Sequence, residues 1–268
     1  MSEHERIEQV DEPATVSSLA ADFRDLGVRE GETLLVHSSL GSLGWVCGGA
    51  PAVVDALRAV VTDDGTLVVP THTGQYSDPA TWSNPPVPGD WVERIHKERP
   101  PFRPDVTPTR EMGAIPECFR SYPDAIRSNH PVVSFAAWGA DAEAVVGNHR
   151  IDNGLGENSP LARIYERDGR VLLLGVGHDT NTSLHLAEYR ASIPTETVTY
   201  DVPVVEDGRR VVVEYEDIET STDDFDALGA AFERDVGAVE GTVAAANCQL
   251  VRQPALVDYA VDWFEKNR

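Results

Sequence analysis

The sequence predicts an α/β fold with a mostly parallel central sheet and one added antiparallel hairpin, and three observations predict it. Short, continuous apolar runs at residues 33–36 (TLLV), 66–70 (TLVVP) and 171–176 (VLLLGV) each end in a polar or glycine-bearing loop, the pattern of strands covered on both faces. Segments of helical periodicity lie between them. Two alternating runs, 196–205 and 211–215, flank Asp207-Gly208, a hairpin turn signal.

Taken in order, residues 15–26 form an amphipathic helix, with Val16, Leu19, Ala20, Phe23 and Leu26 on one stripe and Gly27 closing it. The strand at 33–36 leads into His37-Ser38-Ser39 and a loop carrying Gly41, Gly44, Gly48 and Gly49. A helix then spans 50–61, with Pro51 suited to its first turn. Strand, permissive loop and helix N-terminus together present N–H groups to an anion or an amide, although a purely structural turn reads equally well. The strand at 66–70 opens onto Thr71-His72-Thr73, a second polar strand end and a candidate wall of the same site. Prolines at 79, 85, 86, 88, 100, 101, 104 and 108 make residues 74–109 an irregular excursion with one short helix near 91–97. Beyond it come helices at 112–121 and 141–146, a strand at 132–138, and a helix from Ser159-Pro160 through Glu166. Past the hairpin, 224–235 is helical, 241–250 is a small-residue-rich element, and 254–267 closes the chain as a helix with Leu256, Tyr259, Ala260 and Phe264 inward. All of this fits one domain over residues 1–268, the excursion at about 74–109 lying on its substrate side.

Composition excludes several function classes. With 22 Lys+Arg against 45 Asp+Glu among 268 residues, the net charge is −23, which opposes nucleic-acid or anionic-membrane partners. Lys97 and Lys266 are the only lysines, and this acid-rich, lysine-poor balance is the habit of proteins from high-salt cytoplasm. Cys47, Cys118 and Cys248 are far apart, so neither a disulfide framework nor a zinc site is indicated. The opening residues lack a signal-peptide apolar core and no run is long enough to span a bilayer, so a cytoplasmic protein is expected.

The chemistry concentrates in residues 171–190, VLLLGVGHDTNTSLHLAEYR. Gly175 and Gly177 allow a sharp turn after the strand, and Asp179, Asn181 and Thr182 are candidate caps for a helix beginning near Ser183. His185 and Glu188 are three apart and share a helical face. An imidazole whose tautomer is fixed by a carboxylate meets the requirement for a general base, and an incidental surface pair is the alternative.

Several stretches, in this order, resemble the aminoglycoside 3-N-acetyltransferase family: VHSSLGSLGWVCGG, GTLVVPTHT, TPTREMGAIPECFRSYPDAIRSNHPVVSFAAWG, GENSP and LLLGVGHDTNTSLHLAE. The likeness runs from about Leu34 to Glu188 and more loosely to the C-terminus, and RSxHP and NTxxHxAE are its most specific parts. What the resemblance implies is an α/β/α sandwich, distinct from the commoner GNAT acetyltransferases. The implied reaction is direct transfer of an acetyl group from acetyl-CoA to an amine, such as the 3-amino group of an aminoglycoside, in a ternary complex. No metal is implied. By the same likeness His185 is the base, Glu188 orients it, and oxyanion donors lie near Ser38, Ser39 and Thr71. The loop carrying Ser38, Ser39, Leu40, Gly44, Val46, Gly48 and Gly49 would lie along the pantetheine and pyrophosphate, with Ser128 and His130 also on the cofactor side.

Other residues carry weaker signals. His72, Asp152 and Glu157 are the substrate-side candidates, and the acceptor pocket is expected in the excursion and near the hairpin, where the likeness is least. Ser128, His130 and Ser159 read more readily as turn or cap residues, His37 as a hydrogen-bonded structural histidine, and Cys47 as a small loop residue. Two other readings stay open. A metal-dependent hydrolase using His72, His130, His149 and His185 lacks HxH or HxxxH spacing, and a catalytically silent CoA- or small-molecule-binding protein of the same fold would not need both His185 and Glu188. Oligomeric state is undetermined, a homodimer being one option.

Overall fold

Three of the apolar runs form the middle of one sheet. In the structure, a computed structural model that describes residues 3–8, 10–83 and 85–268, strand β1 (Thr33–Ser38) lies between β2 (Thr66–Pro70) and β5 (Arg170–Leu174) and parallel to both. The register sets Leu34 opposite Leu67 and His37 opposite Leu173. Outside this parallel centre the pairing reverses. Strand β4 (Phe135–Gly139) is antiparallel to β2 and carries the two-residue β3 (Ile126–Arg127), while β9 (Ala246–Arg252) is antiparallel to β5 and carries β8 (Val239–Val243). The sheet order is therefore β3-β4-β2-β1-β5-β9-β8, mixed at its flanks and parallel where the site forms.

Alternation along the central strands feeds two cores. Leu34, Val36, Leu67, Val69, Leu172 and Leu174 point to a face covered by α2 (Val16–Asp25), α3 (Ala50–Val61) and α5 (Ala114–Phe119). Leu35, Val68, Val171 and Leu173 point to the other, covered by α6 (Ala142–Val146), α7 (Pro160–Glu166), α8 (Ser183–Arg190), α9 (Phe225–Asp235) and α10 (Gln253–Asn267). The result is an α/β/α sandwich. Each buried Leu or Phe contributes about 1.5–3 kcal/mol of apolar transfer.

Local chemistry explains most boundaries. Helix α2 starts in a capping box, Thr15 N donating to Ser18 Oγ at 2.9 Å and Ser18 N to Thr15 Oγ1 at 3.2 Å. Helix α7 starts where Ser159 Oγ accepts from Leu161 N at 3.2 Å, with Pro160 in the first turn. Pro116 is likewise tolerated in the first turn of α5, where N–H groups lack intrahelical partners. A short helix α1 (Glu3–Glu8) precedes α2.

Two elements depart from the expectation. Strand β4 begins at Phe135 rather than 132, because His130 Nδ1 accepts from the N–H groups of Val132 and Val133 at 3.1 and 3.0 Å and keeps them in a turn. The small-residue element at 241–250 is the β8–β9 hairpin, turned at Ala244, whose φ is 48°. Glycine and alanine had hidden its alternation.

The hairpin β6 (Thr197–Glu206) and β7 (Arg209–Ile218) forms its own two-stranded sheet, with Asp207 and Gly208 both at positive φ, 49° and 74°. It packs against the excursion, whose one helix is α4 (Val92–Glu98), through Phe102 N to Pro203 O at 2.8 Å. Tyr189 OH to Asp217 Oδ1 at 2.7 Å joins it to α8. No helix among the described residues is long and apolar enough to cross a membrane.

Candidate active site

The carboxyl ends of β1, β2 and β5 open into a cleft of about 510 Å³. Its walls include His37 and Ser38 from β1, His72 after β2, Val176, Asp179 to Thr182 and His185 after β5, Glu111 and Met112 after the excursion, and Thr220, Thr222 and Phe225 before and at the start of α9. Parallel strands place loop after loop at this edge, so ligands collect there.

Helix α8 brings the central pair to the cleft. Of the three candidate caps, Asn181 makes the bond, its Oδ1 accepting from Ser183 N at 3.2 Å. One turn of helix then sets His185 Nδ1 2.5 Å from Glu188 Oε2. Glu188 is 2% exposed, and its other oxygen accepts from Ser221 N at 3.1 Å and Arg268 Nη1 at 2.5 Å. The His185 ring lies against Phe225 with centroids 4.9 Å apart. Since Nδ1 faces the carboxylate, Nε2 is the nitrogen left to serve the cleft.

Two further histidines stand close by. Burial, reinforced by neighbouring histidines, lowers the pKa of both His37 and His72 to about 3, so both rings are neutral at pH 7. His37 Nε2 is 3.3 Å from Thr182 Oγ1. His72 Nε2 and Ser38 Oγ are buried polar atoms with no hydrogen-bond partner, and both residues line the cleft. Such atoms are the kind a bound ligand satisfies.

Other sequence-predicted residues lie elsewhere. Thr71 is fully buried, its hydroxyl 3.1 Å from Ser134 Oγ and accepting from Arg127 Nε at 3.2 Å, so it braces Arg127 beneath the cleft instead of lining it. Ser128 Oγ accepts from Phe135 N at 2.9 Å and sits 3.0 Å from His149 Nδ1. The His130 ring spends Nδ1 on Val132 and Val133 and Nε2 on Ile151 O at 3.1 Å. Ser128, His130 and His149 thus form a polar knot behind the cleft wall. Asp152 is ion-paired with Arg150 and Glu157 with Arg190, and neither lines the cleft.

The glycine loop divides in the same way. Ser39 Oγ is 2.9 Å from Ser42 Oγ, which lies 2.9 Å from Gly175 O, and Leu40 packs onto the α2/α3 core. A Cβ on Gly44 would come within 2.6 Å of Val10 Cγ1, and Val46 is bridged to Ala14, so the N-terminal segment covers both. Gly48 and Gly49, at φ 91° and 63°, turn the chain into α3.

Sequence reasoning missed Arg268, Ser221, Glu111 and Met112 altogether, because no spacing links them to His185. Asp179 and Thr182 were legible only as caps. Among the described residues, no group of three or more His, Cys, Asp or Glu is arranged to hold a metal ion.

A family model described as aminoglycoside 3-N-acetyltransferase matches residues 35–265. The SPbeta prophage-derived aminoglycoside N(3')-acetyltransferase-like protein YokD of Bacillus subtilis (strain 168) is 44% identical over 263 residues, covering 97% of this chain and 96% of that protein. Its crystal structure superposes with a TM-score of 0.95 over 98% of each chain, at 43% identity. AAC-IIIb in a binary complex with CoASH superposes with a TM-score of 0.86 at 32% identity, over 95% of this chain and 97% of that one. AAC-VIa bound to sisomicin superposes at 0.87 and 30% identity, over 96% and 99%.

Proposed function

The chain belongs to the aminoglycoside 3-N-acetyltransferase family, and from that membership we propose that it transfers the acetyl group of acetyl-CoA to an amine of an aminoglycoside, with His185 as base and Glu188 as its orienting partner. The observation that carries the site assignment is the 2.5 Å contact from His185 Nδ1 to a carboxylate that is almost fully buried and anchored on its far side. CoASH in AAC-IIIb and sisomicin in AAC-VIa support the donor and acceptor classes.

The chemistry follows from the geometry. An amine attacks the thioester carbonyl through a free lone pair, so the acceptor reacts as the neutral amine, its ammonium proton having gone to solvent, and His185 Nε2 accepts one of the remaining N–H protons as the C–N bond forms. The imidazolium is steadied through Nδ1–H by Glu188. The tetrahedral centre collapses with cleavage of the C–S bond, and the sulfur leaves as a thiolate that takes the proton back from His185. Negative charge on the carbonyl oxygen needs a donor in place beforehand, and the unpartnered Ser38 hydroxyl suits that role better than Thr71, whose hydroxyl is engaged. Neutral His72 supplies a second polar contact. Asp179 and Glu111 line the cleft as carboxylates suited to a polycationic acceptor.

We read residues 1–268 as one catalytic domain with the excursion as part of it, since the two cores share one sheet. Three free cysteines and use of a cytoplasmic thioester support a cytoplasmic setting, which cell fractionation would check. Function is tested by thiol release from acetyl-CoA against a panel of aminoglycosides and simple amines, in low and high salt. Release that requires an aminoglycoside and vanishes in His185→Ala is expected, and normal turnover by that variant would overturn the base assignment.

A further inference from the structure

Asp217, the penultimate residue of β7, does not line the cleft, yet it holds three of the segments that build the cleft. Its Oδ1 accepts from Tyr189 OH at 2.7 Å and from Ile218 N at 2.9 Å, and its Oδ2 accepts from Gly154 N at 2.9 Å. Asp217 makes no ion pair among the described residues, so one hydroxyl and two amide N–H groups balance its charge. Hydrogen bonds to an ionised carboxylate are stronger than those between neutral groups. Each partner leads to a different wall. Tyr189 follows Glu188 on α8, the helix that carries His185. Gly154 precedes Leu155, which lines the cleft. Ile218 leads to Thr220 and Thr222 of the wall, with Ser221 N between them on Glu188 Oε1.

The partners are themselves held. Gly154 O is 2.7 Å from His149 Nε2, and a Cβ on Gly154 would come within 2.6 Å of His130 Nε2, so this loop is pressed onto the polar knot behind the wall. A Cβ on Gly156 would come within 2.7 Å of Tyr189 Cδ1, so the same loop lies against the tyrosine ring. Burial, reinforced by the Asp217 charge, raises the Tyr189 pKa and keeps its hydroxyl a donor. Two positions before Asp217, on the same face of β7, Tyr215 stacks on Tyr200 at 5.0 Å and meets the His130 ring edge-on at 6.0 Å. An isolated two-stranded hairpin is at best marginally stable, so β6–β7 takes its place from contacts such as these.

We propose that Asp217 is a positioning residue for the acceptor, an inference that rests on the transferase reading above. By joining α8, the loop at 151–156 and the exit of the hairpin, it fixes the distance between His185 and the walls at Leu155, Thr220 and Thr222 against which the acceptor lies. It acts through Tyr189 and Gly154 and touches no substrate. The base keeps its orientation without it, because Ser221 and Arg268 still hold Glu188. The glycine loop after β1 shares none of these bonds, so the donor side is unaffected.

The test is steady-state kinetics of the full chain and of Asp217→Ala, Asp217→Asn, Tyr189→Phe and Asp217→Ala/Tyr189→Phe, with aminoglycoside and acetyl-CoA varied separately. In Asp217→Ala the KM for aminoglycoside should rise about ten-fold or more, while kcat and the KM for acetyl-CoA change by less than about two-fold. Tyr189→Phe, which removes a single hydroxyl, should show a smaller rise of the same kind. The double variant should be no worse than Asp217→Ala, since both substitutions break one tie, and Asp217→Asn, which keeps one acceptor oxygen, should recover part of the loss. A fall in kcat with both KM values unchanged would show a role in stability alone and overturn the proposal, as would equal rises in both KM values or additive losses in the double variant. Hydrogen–deuterium exchange gives a readout independent of turnover: Asp217→Ala should speed exchange at 151–156 and 218–222, and unchanged exchange there would also overturn the proposal. Should the parent chain acetylate no amine, the transferase reading fails, and exchange still decides whether Asp217 joins the three segments.

Discussion

Arg268 Nη1 donates to Glu188 Oε1 at 2.5 Å, on the opposite side of the carboxylate from His185 and across 80 residues of sequence. The same guanidinium holds Asp224 and donates to Ser221 O at 3.1 Å, which ties the 219–224 segment to the base of the cleft. Arg268→Ala should therefore lower kcat and destabilise the fold by about 1–3 kcal/mol, a range kept low because Arg268 is partly solvated. Arg268→Lys should be intermediate, since lysine keeps the charge but not the forked geometry. Denaturant unfolding alongside steady-state kinetics checks both.

Substituting the pair itself separates chemistry from binding. His185→Ala should abolish transfer while calorimetric CoA binding persists. Glu188→Gln should reduce kcat more than it raises KM, because the amide still fills the site but no longer balances an imidazolium.

Ser38 and Thr71 should part company. Ser38→Ala removes an unpartnered hydroxyl from the cleft wall and should lower kcat by about 10- to 100-fold with little change in melting temperature. Thr71→Ala removes a buried contact to Arg127 and Ser134 and should instead cost about 1–2 kcal/mol of stability. Comparable kinetic losses in both variants would contradict this division.

Acid sensitivity has a defined window. Burial lowers His37 and His72 to about 3 and His149 to about 4, each from 6.5. Between those values the unfolded chain binds more protons than the folded one, so stability rises with pH. It is complete above pH 6.5 and is lost as pH falls to about 4 for His149 and about 3 for His37 and His72, each group contributing a slope of up to about 1.4 kcal/mol per pH unit. Unfolding free energies at pH 7, 6, 5 and 4 would reveal the slope, and a flat profile would show that these rings stay accessible to protons.

Much of the architecture was legible in local patterns. Helices at 50–61 and 160–166 and the strand at 66–70 occur where periodicity, proline and caps place them. The β8–β9 hairpin was not, because alanine and glycine carry little alternation, and β4 was shortened by a histidine whose acceptor role depends on the folded turn.

The sequence by itself determined what depends on neighbours within a few residues: the buried strands, the helix starts, and the pairing of His185 with Glu188, which one turn of helix imposes. Tertiary structure decided what depends on partners far along the chain. It turned Thr71, Ser128 and His130 inward to satisfy buried polar groups, covered Gly44 and Val46 with the N-terminal segment, and brought Arg268 onto Glu188. A side chain's role follows from which polar groups it must satisfy once water is excluded, and only packing determines those.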